Sequence, residues 1–214
     1  MIRSDQTVAG QIILAPTGGL TPIGSGSVLS FTGTAGMAGI ADWSAACSNQ
    51  LQDIANATAY FSMYDAYKIN SISVNIEYLN NMASVNGSGV MPTMYLYWDQ
   101  DDVNTPPTLG SILGKQGVRK VQFGDKARLQ YTYTYKPTVS VAERIVPTPA
   151  DPTVVTANTR VMKAGWINCQ QPNVTHFGFK VFCTDFLAPG TTVSNAFRFN
   201  WTYNVSFRSP LKTT

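Results

Sequence analysis

Few residues in this sequence are placed to do chemistry. There is one histidine, His176, at the start of the apolar run His176-Phe177-Gly178-Phe179. Without a second histidine it completes no metal site, and residue order pairs it with no serine or cysteine nucleophile. His176 reads as a structural residue, no catalytic residue is assigned, and an enzyme is not expected. Asp99, Asp101 and Asp102 follow a strand candidate, and clustered carboxylate oxygens suit a hard cation such as Ca²⁺. The cluster lacks the spacing and glycine of an EF-hand loop. It stands as a weak metal candidate against the plainer reading of a solvated turn, and no metal or other cofactor is assigned. Cys47, Cys169 and Cys183 are odd in number and widely spaced, which fits neither a disulfide framework nor a CxxC metal site.

The best functional candidate is cationic. Lys115, Arg119, Lys120, Lys126 and Arg128 put five bases in fourteen residues, with Phe123 among them and Tyr131 just beyond. Cations neutralise phosphates and release counterions, while aromatic rings offer stacking platforms for unpaired bases. Arg198 and Arg208 lie on the polar side of the last predicted strand and are assigned to the same nucleic-acid-binding set, where they could join the same face. The overall charge points the same way. The net charge of +3 hides two bases against eight acids in residues 1–114, and thirteen bases against four acids in residues 115–214. Charge asymmetry between halves suits an acidic partner such as nucleic acid.

Strands must position these residues, because period-two alternation dominates the sequence. From Phe197 to Phe207 every odd position is large and apolar and every even position is polar. That pattern loads one face of a half-buried strand and would scatter the aromatics around a helix. Ala127–Lys136 repeats it and ends at Pro137. Ile72–Tyr78, Met94–Trp98 and Phe177–Val181 are further strands, and Ser27–Thr34, Gly117–Phe123 and Gly165–Cys169 are weaker ones. The tally is eight, with an extra segment near Gln11–Ala15.

Helix is scarce. Trp43, Cys47, Leu51 and Ile54 have helical spacing within Ala41–Tyr60, with Asp42 as N-cap, and Pro106-Pro107 opens a short helix through Leu109, Ile112 and Leu113. The proline-bearing stretch Pro137–Lys163 reads as an extended surface loop. The expected fold is all-β: an eight-stranded antiparallel jelly-roll sandwich with one or two short helices in its loops. Residues 1–26 are expected to be a flexible N-terminal segment and 27–214 a single jelly-roll domain. No apolar run approaches the ~20 residues of a membrane span, and Met1–Ala15 has too short an apolar core for a secretion signal.

At this point the sequence resembles a known family. Tyr64-Asp65-Ala66-Tyr67-Lys68-Ile69-Asn70-Ser71-Ile72-Ser73-Val74-Asn75-Ile76 is similar to the "YxxYRIxKVxVxF" strand of circovirus capsids and other coat proteins of circular Rep-encoding single-stranded DNA viruses. Trp98-Asp99-Gln100-Asp101-Asp102 resembles the family strand ending in paired aspartates, and Tyr131–Pro137 the aromatic strand closing in "KP". Trp166-Ile167-Asn168, then Val174–Phe179, then Phe197–Arg208 follow the family's last three strands in order. The resemblance spans roughly residues 60–210. It implies a capsid protein that self-assembles as a homo-oligomer of about 60 copies into a small icosahedral shell, enclosing a circular single-stranded DNA genome. It further implies a place in the virion, with the host nucleus or cytoplasm as the site of assembly. The family's arginine-rich N-terminal arm has no counterpart in residues 1–26, which hold only Arg3, so import and packaging by an arm do not carry over.

A low charged fraction, 13% against the usual ~25%, suits wide contact with other protein. Two alternatives stand beside the capsid reading. One is a carbohydrate-binding β-sandwich with Trp98 and the Asp99/Asp101/Asp102 cluster as its site; the other is a jelly-roll coat protein of a small RNA virus. The sequence names no host receptor.

Overall fold

The computed structural model describes the backbone of residues 3–14, 28–32, 39–54, 57–78, 92–100, 105–123, 130–144, 157–188 and 194–210. Side chains are described within this set from Asp42 to Arg208, except for Trp43, Arg198, residues 141–161 and residues 185–196. Twelve strands lie among the described residues: β1 (Arg3–Leu14), β2 (Val28–Thr32), β3 (Gly39–Asn49), β4 (Tyr64–Tyr78), β5 (Thr93–Trp98), β6 (Arg119–Gln122), β7 (Gln130–Tyr135), β8 (Thr138–Arg144), β9 (Ala157–Lys163), β10 (Ile167–Asn168), β11 (His176–Ala188) and β12 (Ser194–Pro210). Two short helices, α1 (Ala57–Met63) and α2 (Leu109–Leu113), and one 3₁₀ turn (Leu51–Asp53) complete the description.

Eight strands make two antiparallel four-stranded sheets. One runs β1–β12–β4–β7 and the other β3–β11–β5–β6. Counted along the chain as one to eight, these strands read 1-8-3-6 and 2-7-4-5, the order of a jelly roll built from two Greek keys. The remaining four are additions. β2 extends the second sheet beside β3, β10 pairs briefly with β4, and the β8–β9 hairpin leans on β11.

The alternating residues become the core. Ile72, Val74 and Ile76 of β4 and Phe197, Phe199, Trp201, Tyr203 and Val205 of β12 face Met94, Leu96, Phe179, Val181 and Cys183 across the sandwich, and all are buried. Aromatic rings bridge the sheets: Phe179 meets Trp201 edge-on at 5.6 Å, and Phe123 meets Phe197 edge-on at 5.4 Å. A polar clip crosses the same space. The Tyr203 hydroxyl donates to Asn49 Oδ1 at 2.8 Å, and Asn49 Nδ2 donates to the Tyr135 hydroxyl at 2.7 Å. Burial holds both phenols above their ordinary range, Tyr135 with added repulsion from Tyr203 and Tyr203 with added repulsion from Asp53, so they stay protonated and able to donate.

Gly178 shows how tightly this interior is filled. The register of β11 against β3 shifts between His176 and Phe179, and a Cβ at Gly178 would overlap the Tyr135 ring. Gly178→Ala is therefore expected to cost roughly 1–3 kcal/mol by overpacking. A urea midpoint indistinguishable from wild type would mean that Tyr135 yields without breaking its bond to Asn49.

Four expectations need correction. The helix expected over Ala41–Tyr60 is instead strand β3, the 3₁₀ turn and α1. Ser44 through Asn49 are buried on both faces of β3, so small residues replace the polar half of the alternation and Trp43, Cys47 and Leu51 mimic helical spacing. The stretch expected as a loop over Pro137–Lys163 carries the β8–β9 hairpin, with Pro147, Pro149 and Pro152 falling between its strands. Within the expected flexible segment 1–26, Arg3–Leu14 forms β1 and pairs along β12; residues 15–26 lie outside the described residues. The tally of eight strands becomes twelve among the described residues: β3, β8 and β9 are not among the expected strands, and β1 takes in the extra segment expected near Gln11–Ala15, while the short α2 appears as expected.

Strand directions gather the connections at two ends. Leu14, Tyr78, Gln130 and Ser194 close one end of the first sheet, and Gly39, Thr93, Gln122 and Ala188 close one end of the second. Contacts of Phe123 with Tyr78 and Phe197 bring those ends together. The opposite end carries α1, α2 and β8–β10.

Candidate nucleic-acid interface

Of the seven bases assigned from the sequence, Lys115, Arg119, Lys120 and Arg208 have described side chains, and these four divide between the two outer faces and one edge. β6 is the edge strand of the second sheet, and cations along an edge also discourage pairing with another chain. Lys120 stands opposite Tyr95 in register, and its Nζ lies 5.9 Å from the Tyr95 ring centre on the outer face. Lys115 Nζ lies 5.9 Å from the ring of Tyr97. Arg119 faces the other way, with Val121, and its charge acts on the Tyr133 hydroxyl in the first sheet. Thr108 caps α2 by accepting from the Ser111 amide, and Gly117, with φ of +80°, turns the chain from α2 into β6. This segment clads the second sheet: Ile112 packs with Tyr97 and Phe182, and Leu109 and Val118 close around them. Lys126 and Arg128 lie outside the described residues.

The last two bases lie on the first sheet. Arg208 is exposed, and its guanidinium carbon stands 4.7 Å from the centre of the Trp166 ring. Arg198 occupies a β12 position opposite Gln11 and Glu77; its side chain is outside the described set. Arg208 therefore does not share a face with Lys115 and Lys120. Between its charged residues, the outer side of the first sheet carries neutral donors and acceptors. Asn70 donates to Asn204 Oδ1 at 3.3 Å and to Ser206 Oγ at 2.8 Å, and Ser73 bonds Thr134 at 2.8 Å.

Of the weak metal candidate, Asp99 is already engaged inside the fold. Asp99 is buried and pairs with Lys180, Nζ to Oδ2 at 2.8 Å, while the Tyr97 hydroxyl donates to the same oxygen at 2.8 Å. An internal ammonium already occupies the position a cation would take. Asp101 and Asp102 lie outside the described residues, and among the described residues no three metal-ligating side chains converge. Trp98 packs partly into the core, so with Asp99 committed to Lys180 the sugar-stacking site is not assembled either. Lys180 is not among the candidate residues of the sequence. Its sequence signal is a single lysine in the middle of an apolar strand, which needs a buried partner.

His176 is a core residue, fully buried, with Nδ1 3.0 Å from the Val174 carbonyl, to which it donates as the protonated nitrogen. Burial lowers its pKa to about 4 from the ordinary 6.5. The unfolded chain therefore takes up the proton first. The resulting stability is fully present above pH 6.5 and is lost as the pH falls toward 4, by roughly 3 kcal/mol. His176→Asn is expected to flatten that part of the pH profile. Equal losses in wild type and variant between pH 7 and pH 4 would assign the acid sensitivity to carboxylates alone. Cys169, the thiol beside Asp65, is pushed up to about 11 by burial and by that carboxylate, so it is a protonated packing residue.

The strand order is that of a jelly roll, an architecture used by viral shell proteins among others. A family model described as circovirus capsid protein matches residues 26–211, and the chain belongs to that family. A search of curated proteins finds no match. Among solved structures, the 60-mer BFDV capsid protein matches with a TM-score of 0.61 at 11% identity, covering 100% of this chain and 98% of that one. The decameric BFDV capsid protein matches with a TM-score of 0.50 at 12% identity, over 96% and 100% of the two chains. At such identities the likeness carries the fold. Family membership makes the protein a structural constituent of a virion.

Proposed function

We propose that this protein is the coat subunit of a small icosahedral shell that encloses a circular single-stranded DNA genome, assembled in the host nucleus or cytoplasm. The observation that carries the reading is the 1-8-3-6 and 2-7-4-5 strand order, in a chain that the circovirus capsid family covers from residue 26 to 211. The 60-mer described for the BFDV capsid protein, a chain of nearly the same extent, supports a shell of about sixty copies. Cations on the outer surfaces supply the neutralisation that packed phosphates require. Because Lys115 and Lys120 lie on one outer face and Arg208 on the other, a subunit set with its sheets along the shell wall offers the genome only one of these groups.

The test is to express the chain, isolate the particle fraction and digest it with nucleases before and after disrupting the shells. Uniform particles holding DNase-sensitive, RNase-resistant nucleic acid that is protected until disruption are expected. RNA inside such particles would favour the coat of a small RNA virus, and a persistent soluble monomer would overturn the reading.

A further inference from the structure

We infer that single-stranded nucleic acid binds on the outer face of the first sheet, stacking a base on Trp166 with Arg208 and Lys68 contacting its phosphates. This rests on the shell reading and specifies which face of the subunit the genome meets. Two observations set this face apart from the β6 edge.

The first is the state of the aromatic rings. Lys115 and Lys120 cover Tyr97 and Tyr95, and Tyr97 is already buried with Ile112 and Phe182 beneath the α2 segment. No base can reach that ring without displacing the segment. Trp166, by contrast, keeps 39% of its surface exposed, and Arg208 beside it holds a charge next to the ring. An exposed aromatic beside a guanidinium is the pairing that single-strand grooves use, because stacking accepts any base while the cation takes the phosphate.

The second is the setting. Arg208 and Ser206 alternate with the core residues Phe207 and Val205, so they look outward. Lys68 stands opposite Ser206 in register, between inward-facing Tyr67 and Ile69, and so shares that outer face. Lys163 is exposed at the end of β9, three residues before Trp166. The described acid that shares the outward side of β4 with Lys68, Glu77, lies at the far end of this face, opposite Gln130. The rest of the surface is amide and hydroxyl, with Asn70, Asn204 and Ser206 tied to one another. Such a surface can exchange hydrogen bonds with phosphates and bases without repelling them.

Ultraviolet crosslinking of nucleic acid inside wild-type particles, followed by peptide mapping, tests the inference with no variant involved. Crosslinks on the peptide containing Trp166 are expected; crosslinks confined to residues 115–122 would overturn it. In parallel, the purified wild-type chain is titrated with oligothymidylate, followed by tryptophan fluorescence. Trp166→Ala should weaken that binding roughly 5- to 100-fold, and Arg208→Gln should lower its salt slope by roughly 0.7. Unchanged binding in both variants overturns the inference. So does loss of particle formation by Trp166→Ala with wild-type oligonucleotide affinity, which would make Trp166 a contact between copies. Should the wild-type chain form no shells, the shell reading fails while the titration still decides this site.

Discussion

Trp201→Ala is expected to lower the free energy of unfolding by roughly 3–5 kcal/mol, enough to unfold much of a marginally stable domain. Trp201 sits at the middle of β12, opposite Val8 of β1 on one side and Val74 of β4 on the other. It is 4% exposed and edge-on to Phe179 of the opposing sheet at 5.6 Å. Truncation removes the largest side chain at the centre of the sandwich and leaves a cavity between elements that are both pinned by strand pairing, so little collapse can refill it. Trp201→Phe keeps most of the volume and should cost less than half as much. Denaturant unfolding checks both; a loss below ~1 kcal/mol for the alanine variant would mean that the sheets close around the void.

The second large effect comes from the buried ion pair. Asp99→Asn keeps the shape of the side chain and deletes its charge, leaving Lys180, 4% exposed by side chain, buried opposite a neutral amide. Breaking such a pair from one side costs roughly 3–5 kcal/mol, because the remaining charge has lost the partner that offset its desolvation. Replacing both partners, as in Asp99→Leu with Lys180→Met, should recover most of the loss, since neither charge is then held away from water. If the double variant were no better than Asp99→Asn, the site would depend on the hydrogen bond from Tyr97 rather than on charge. The pair is also expected to be nearly indifferent to salt, unlike the exposed bases of β6.

These two sites also mark what the sequence reveals and what it hides. β12 is legible because one of its faces is buried and the other polar, so the chain itself records which side is the core. β3 carries no such record. Lying between β2 and β11 with Ser44, Ala46 and Ser48 buried on its second face, it substitutes small residues for polar ones and loses its rhythm. The β8–β9 hairpin was obscured by prolines that belong to its connection.

The binding surface is harder still. Lys115 to Arg128 form a cluster along the chain, but a strand alternates its faces, so Arg119 and Lys120 point to opposite sides of one sheet. Arg208 and Trp166 come together only because β10 and β12 both pair with β4. Asp99 looked like a cation ligand because its partner, Lys180, lies on a strand far along the chain. Local pattern therefore carries the architecture, and long-range pairing decides which charges meet.

The most direct measurement is the mass of the purified protein in solution at neutral pH, by sedimentation velocity or mass photometry. A dominant species of roughly 1.4 MDa, sixty copies of a 23.2 kDa chain, is predicted. A single species at the mass of one chain, unchanged as concentration rises, would contradict the assignment of this sandwich to a shell.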